Sequence, residues 1–225
     1  MFQEKGRQLP KLFFLLMLCT VCFSASAHTI NYALENAPAH HVLKYYLLLG
    51  IQHIIPNGFD HILFVVSLCL LNNKIKTMLW QATAFTVAHS ITLALSMKGL
   101  FTLPAPIVEP IIALSIVFVA VENIILNELK ATRIIVVFLF GLIHGLGFAS
   151  SLNEIGLPRN KFFTSILSFN AGVELGQIAI ILAVFFLVIY PFGKKAQYRK
   201  RIVYPLSLII GLVAAYWTVE RIFYQ

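Results

Sequence analysis

Long apolar runs separated by short polar stretches fill this chain from about residue 41 to its end. Several runs approach the roughly 20 residues that a helix needs to cross a bilayer. They are too long for barrel strands of about ten alternating residues, so the pattern predicts an all-α, polytopic membrane helix bundle. We predict six transmembrane helices, with approximate limits 59–73, 78–97, 106–127, 134–152, 163–191 and 202–222.

The apolar segment from His41 to Ile55 is the ambiguous part of this pattern. It is short for a crossing helix, and Pro56, Asn57 and Gly58 separate it from the first predicted span. It could be a seventh span or a short interfacial or re-entrant helix. The distribution of Lys and Arg between the loops decides between these two alternatives.

Six spans with both mature termini outside the cytoplasm place most cations inside, as the positive-inside rule requires. Lys44 and Arg221, near the ends of apolar runs, do not reverse this bias. We therefore predict that His41–Ile55 does not cross the membrane. The predicted inner loops contain Lys74, Lys76, Lys130, Arg133, Lys194, Lys195, Arg199, Lys200 and Arg201, and the predicted outer loops contain Lys98, Arg159 and Lys161.

The first 27 residues have the pattern of a secretory signal peptide. A basic beginning precedes a short apolar run over residues 12–23, and Ala25-Ser26-Ala27 fits the small-x-small cleavage rule. An uncleaved first span is the alternative, but the run is short for one. The prediction divides the chain into a signal peptide (1–27), an exposed N-terminal segment (28–40) and a membrane domain (41–225). His28 would then have both an α-amino group and an imidazole, a chelating pair.

Composition supports the membrane assignment and excludes a soluble domain. Hydrophobic residues make up 59% of the chain and charged residues 12%. The formal net charge of +8 could suggest a nucleic-acid partner, but the cations lie in short loops and no nucleic-acid-binding motif is present. The bilayer is therefore the expected surrounding of this protein.

Imidazole, carboxylate and amide side chains interrupt the apolar runs at five separate places. A charged group costs roughly 2.5–3.5 kcal/mol at the centre of a membrane helix, so such residues are functional candidates. Imidazole and carboxylate together are a ligand set for divalent nickel, cobalt or zinc. We predict metal ligands among His53, Asp60, His61, His89, Glu109, His144, Asn170 and Glu174.

The strongest signal is His53 with Asp60 and His61, because the Pro-Asn-Gly break lets the chain fold back and bring the two histidines together. Asn170 and Glu174 are four residues apart and therefore share one helix face. For the other residues, a purely structural role is the alternative. His89 and His144 could simply bond across helices, since small residues follow each of them, and Glu109 could cap a helix start as well as bind a metal.

Five stretches make the chain resemble the HupE/UreJ family, and most closely its second branch. They are GIQHIIPNGFDHILF, TAFTVAHSITLAL, VEPIIALSIVFVAVEN, FGLIHGLGFASSL and FNAGVELGQ. The resemblance implies a bacterial envelope protein with a cleaved signal and about six spans. The better-known branch is associated with nickel or cobalt uptake for hydrogenase and urease. Its histidine and Asp-His element carries over to His53, Asp60 and His61, and its His-Gly element to His144.

The first functional hypothesis is a permease for a divalent transition metal, nickel or cobalt first, in the bacterial inner membrane. Asp60, His61 and His53 would capture the ion, and His89, His144 and Glu174 would pass it inward. No G-x-x-x-x-G-K-[ST] motif for ATP is present. Two alternatives stay open: an intramembrane zinc-dependent hydrolase, and a membrane accessory protein that serves partners in metalloenzyme maturation.

Overall fold

The computed structural model describes residues 31–224, and within that range every regular element is a helix. The all-α prediction is therefore confirmed for this part of the chain. The predicted signal peptide and the predicted new N-terminus at His28 lie outside the described residues. The α-helices are α1 (Tyr32–Glu35), α2 (Ala39–Ile54), α3 (Phe59–Leu70), α4 (Ile75–Met97), α5 (Ala105–Ile125), α6 (Arg133–Ile155), α7 (Phe162–Val184), α8 (Tyr190–Phe192) and α9 (Tyr204–Phe223).

Short stretches of other helix types extend α7 and α9. A 3₁₀ turn over Arg159–Lys161 precedes α7, and a π-helical stretch over Phe185–Ile189 joins α7 to α8. A second π-helical stretch, Arg199–Val203, leads into α9. With these turns included, Arg159–Phe192 and Arg199–Phe223 are each one continuous helical stretch.

Within residues 31–224, four helical stretches are long and apolar enough to cross a membrane, and the bent pair α2–α3 would make a fifth if it is one broken span. α2 and α3 meet at an angle of 69°, so the break predicted at residues 56–58 is present. α4 has 23 residues but is less apolar, because buried polar residues such as Gln81, Thr86 and His89 interrupt it. The four stretches are Ala105–Ile125, Arg133–Ile155, Arg159–Phe192 and Arg199–Phe223.

Three helix pairs have the most extensive contacts in the bundle: α4 with α6, α2 with α7, and α5 with α9. Glycines allow the first two pairs to approach closely. A Cβ on Gly145 of α6 would collide with the His89 carbonyl of α4, and one on Gly172 of α7 would collide with the Leu47 carbonyl of α2. These contacts fix the depth at which α2, α4, α6 and α7 present their polar residues.

A buried arginine joins three helices where α5 ends and α6 begins. Arg133, counted above among the loop cations, is the first residue of α6 and is buried. Its Nη1 donates to Asn123 Oδ1 at 3.0 Å, and its Nε lies 3.4 Å from Glu122 Oε2. Asn123 Nδ2 in turn donates to the Ser67 carbonyl on α3 at 2.7 Å. This network anchors α3, α5 and α6 at the end predicted to face the cytoplasm.

Candidate metal centre

The turn between α2 and α3 brings His53 next to His61. His53 lies in the last turn of α2, and His61 is the third residue of α3. The chain folds back so tightly that a Cβ on Gly58 would collide with the His53 carbonyl. The two imidazole ring centroids are consequently 4.7 Å apart. The predicted fold-back at the Pro-Asn-Gly break is thus the feature that pairs these histidines.

His89 of α4 completes a three-histidine cluster with His53 and His61. Its ring centroid lies 6.0 Å from that of His53 and 6.2 Å from that of His61. One ligand nitrogen from each ring lies within 4.8 Å of the others. Metal–imidazole bonds are about 2.0–2.1 Å long, so two nitrogens on one ion are at most about 4.2 Å apart, and a small inward movement of the rings would bring all three onto one ion. We call these residues the histidine cluster.

The hydrogen bonds around His89 leave one ring nitrogen free for an ion. Asn170 Nδ2 donates to the Ile166 carbonyl at 2.8 Å, so Asn170 Oδ1 must be the acceptor toward His89. His89 Nδ1 lies 3.2 Å from that oxygen and therefore donates to it. The Nε2 lone pair of His89 is left without a partner among the described residues. Asn170 thus orients an imidazole in the way that the outer partners of metal sites do.

His144 of α6 stands beside the cluster with the opposite tautomer. Ser115 Oγ donates to the Ile112 carbonyl at 2.7 Å and so accepts from His144 Nε2 at 3.1 Å. The unprotonated nitrogen of His144 is then Nδ1, which has no hydrogen-bond partner in the described part of the chain. The His144 ring centroid is 5.1 Å from that of His61. A fourth imidazole is therefore close enough to bind the same ion as the cluster, or to receive the ion from it.

Aromatic rings surround the four histidines and limit the access of water. Phe148 lies with its centroid 3.9 Å from His53 and stacks on Phe169 at 4.9 Å. Phe85 stands 4.9 Å from His144 and 5.8 Å from His61. These contacts fix the ring orientations and give the cluster a low-dielectric surrounding, in which interactions with charge are strengthened.

Glu174 lies outside the histidine cluster, further along the contact between α4 and α7. Its Oε1 accepts a hydrogen bond from Thr83 Oγ1 at 2.6 Å, while Oε2 has no partner among the described residues. Close by, Thr86 Oγ1 donates to Gln177 Oε1 at 3.0 Å. Thr83 and His89 are six residues apart on α4, a rise of roughly 9 Å at 1.5 Å per residue. A line of polar groups thus leads away from the cluster toward the beginning of α4.

Asp60, a predicted ligand, pairs with a cation that the sequence analysis did not include in the site. Arg221 Nη2, from the last turn of α9, donates to both carboxylate oxygens of Asp60, at 2.9 and 3.2 Å. Arg221 Nη1 donates to the backbone carbonyl of Glu109 at 3.2 Å. Arg221 therefore ties α3 and α5 to α9 in front of the cluster. The ligand roles of Asp60 and Glu109 stay predictions.

A cavity of about 170 Å³ connects these groups. Its lining includes the Asp60–Arg221 ion pair and the imidazoles of His53, His61 and His144, so a metal ion that enters beside Asp60 would be next to the histidine cluster. The structure thus brings together four of the predicted histidines, with Asn170 as a hydrogen-bond partner and Glu174 further along. The lining residues are His53, Asn57, Gly58, Asp60, His61, Glu109, Ile112, His144, Gly147, Phe148 and Arg221.

The comparison with known proteins identifies one family. The sequence model of a family described as HupE / UreJ protein matches residues 25–221, which is most of the chain. No curated protein and no solved structure shows significant similarity to the chain. The matched range includes every member of the histidine cluster, together with Asp60, Glu109, His144, Asn170, Glu174 and Arg221.

Proposed function

The chain belongs to the HupE/UreJ family, and on this premise we propose that it binds a divalent first-row metal ion and passes it across the bacterial inner membrane. Nickel and cobalt are the first candidates, because the family is associated with their uptake. Imidazole suits both metals, and it also suits zinc, so supply rather than affinity would select the ion.

The observation behind this proposal is the histidine cluster. Three imidazoles from three helices point ligand nitrogens to one place, all within 4.8 Å of one another. The Nε2 atoms of His53, His61 and His89 have no hydrogen-bond partner in the described residues. A buried polar atom without a partner is costly, and an ion at this place would satisfy all three atoms together.

The proposed path begins at the cavity and continues along α4 and α7. Asp60 and the cluster would take the hydrated ion at the outer side, and His144 would share it. Glu174 Oε2, also without a partner in the described part, would accept the ion next on its way inward. Thr83, which bonds to the other oxygen of Glu174, would hold this carboxylate in position.

Metal accumulation tests the transport step. Cells that produce the protein are expected to accumulate nickel or cobalt above cells that lack it. Glu174→Gln removes the carboxylate charge beyond the cluster, so the purified variant should still bind the ion. Its initial uptake rate should fall about 10-fold, the low end for groups beyond the ligands of a metal site. Uptake is measured by mass spectrometry of washed cells, and binding by equilibrium dialysis.

Glu154→Gln is the matched control, because Glu154 is an exposed carboxylate at the end of α6. It should leave both uptake and binding unchanged. Equal accumulation in cells with and without the protein would rule out transport. Uptake that survives Glu174→Gln at the control level would exclude the proposed path through Glu174.

A zinc-dependent hydrolase is the second candidate, and the cavity is the observation that favours it. Three histidines with one open position can activate a zinc-bound water. The cavity of about 170 Å³ beside them is also lined by Asp60 and Glu109, two carboxylates that could move a proton. A hydrolase would retain one zinc ion per chain through chelator treatment and would not change metal accumulation in cells.

Six spans, with both mature termini outside the cytoplasm, are part of the proposal, together with removal of residues 1–27 as a signal peptide. The excess of Lys and Arg in alternate loops supports this topology. A reporter enzyme that is active only outside the cytoplasm, fused after Gln225, should therefore be active. A reporter that is active only in the cytoplasm, fused at the same place, should not be. The reverse result would turn the histidine cluster toward the cytoplasm.

A further inference from the structure

All three cations of the predicted outer loops meet in one surface pocket. Lys98 follows α4, while Arg159 and Lys161 precede α7, about 60 residues further along the chain. The structure places them together around a pocket of about 510 Å³. Ligand pockets commonly measure about 300–1,000 Å³, so this space is large enough for a small polar group.

The pocket lining is positive, although the Lys161 ammonium already has partners: its Nζ donates to the Glu35 backbone carbonyl at 2.7 Å and to Asn160 Oδ1 at 3.3 Å. No carboxylate is among its lining residues. The nearby Glu35 carboxylate accepts hydrogen bonds from the backbone N–H groups of Arg159 and Asn160, at 2.9 and 3.3 Å. Glu35 thus fixes the loop and is not among the lining residues of the pocket. The residues that line the pocket are Met97, Lys98, Leu157, Pro158, Arg159, Asn160, Lys161, Phe162, Phe163 and Thr164.

Aromatic rings form one wall of the pocket, and exposed apolar side chains of α7 continue from this wall. Lys98 Nζ lies 5.4 Å from the Phe162 ring centroid and 5.0 Å from that of Phe163. Phe163 is 69% exposed, and Leu167, one turn further along α7, is 68% exposed. Both belong to a stretch that can cross a membrane, so these exposed apolar side chains face hydrocarbon. We therefore place Lys98, Arg159 and Lys161 at the boundary between hydrocarbon and water.

We propose that this pocket binds the headgroup phosphate of an anionic phospholipid, whose acyl chains lie along Phe163 and Leu167. The cations attract the single negative charge of the headgroup phosphate, and the apolar strip matches the acyl chains. A free phosphate would use only the first of these features. The bound lipid would bridge the end of α4 and the beginning of α7, the helices that position His89 and Asn170. The proposal does not depend on metal transport.

Competition between lipids tests this site. Purified protein in detergent receives equal amounts of phosphatidylglycerol and phosphatidylcholine, and native mass spectrometry measures the lipid that stays bound. We expect phosphatidylglycerol to be retained in preference. Each cation near a charged lipid surface favours binding by roughly five-fold, so the double variant Lys98→Ala/Arg159→Ala should retain about 25-fold less phosphatidylglycerol. Soluble glycerol phosphate should not displace the lipid.

The double variant Lys74→Ala/Lys76→Ala is the matched control. It removes two exposed cations at the other end of α4, and its phosphatidylglycerol retention should equal that of the unmodified protein. Circular dichroism establishes that each variant is folded, and the single variant Arg159→Ala provides a second measurement with an expected five-fold loss. Equal retention of both lipids, equal loss in the two double variants, or displacement by glycerol phosphate would each overturn the proposal.

Discussion

Replacement of His61 by alanine is expected to lower the affinity of the protein for nickel and cobalt by at least 10–100-fold, since removing even an outer partner of a metal ligand costs about that much. His61 is the central member of the site. Its ring lies 4.7 Å from that of His53, 5.1 Å from that of His144 and 6.2 Å from that of His89. The other histidines of the described residues, His40 and His41, are exposed near the start of α2. Equilibrium dialysis of the purified protein against nickel measures the effect.

His41→Ala is the control for this experiment. His41 also lies on α2, but it is exposed and lies twelve residues before His53. Nickel affinity should be unchanged in this variant. If His61→Ala is folded and binds nickel as tightly as His41→Ala does, the histidine cluster is a structural feature and the transport proposal fails.

Gly145→Ala is expected to lower both the stability of the protein and its metal affinity. Alanine normally stabilises a helix interior by about 0.5–1 kcal/mol relative to glycine. At Gly145, however, the added Cβ would collide with the His89 carbonyl and with Thr92 Oγ1 on α4. Overpacking of this kind costs about 1–3 kcal/mol. Relief of the collision must move α4 away from α6, which displaces His89 from its place in the histidine cluster. Thermal unfolding in detergent and nickel dialysis measure the two effects.

Gly211→Ala makes the same change where there is space for it. A Cβ on Gly211 of α9 would meet only the Ala120 Cβ, at 3.4 Å, which is an ordinary contact. This variant should unfold at the same temperature as the unmodified protein or at a higher one, and it should bind nickel normally. Equal unfolding temperatures for the two variants would show that α4 and α6 can separate freely, contrary to the packing described above.

The sequence predicted the helices because each long apolar run has one stable form in lipid. The all-α fold and the family are confirmed, while the six-span topology stays a prediction. The pairing of His53 with His61 followed from the break at Pro56–Gly58, which acts over a few residues. The signal was local, so no knowledge of helix packing was needed to expect the two rings side by side.

Arg221 could not be assigned to the site in the same way. Arg221 lies at the end of the last predicted span, where a cation is typical of the residues that set membrane orientation. It is also 161 positions away from Asp60 in the sequence. Their contact depends on the packing of α9 against α3 and α5, which periodicity does not specify. The roles of Asn170 and Ser115 as partners of histidines were hidden for a similar reason. Both depend on which helices are neighbours, and a hydroxyl or amide within an apolar run has many possible partners.

The ion pair between Asp60 and Arg221 determines the electrical character of the proposed transport. Because the guanidinium neutralises this carboxylate, a divalent ion bound by three neutral imidazoles would keep both of its charges. Each elementary charge gains about 2.3 kcal/mol per 100 mV of membrane potential, so such an ion would gain about 4.6 kcal/mol. Inward movement would therefore be electrogenic, because the membrane potential would act on both uncompensated charges of the ion. If Asp60 instead left Arg221 to follow the ion, the guanidinium would stay behind as a fixed positive charge that repels a second ion until the first has moved on.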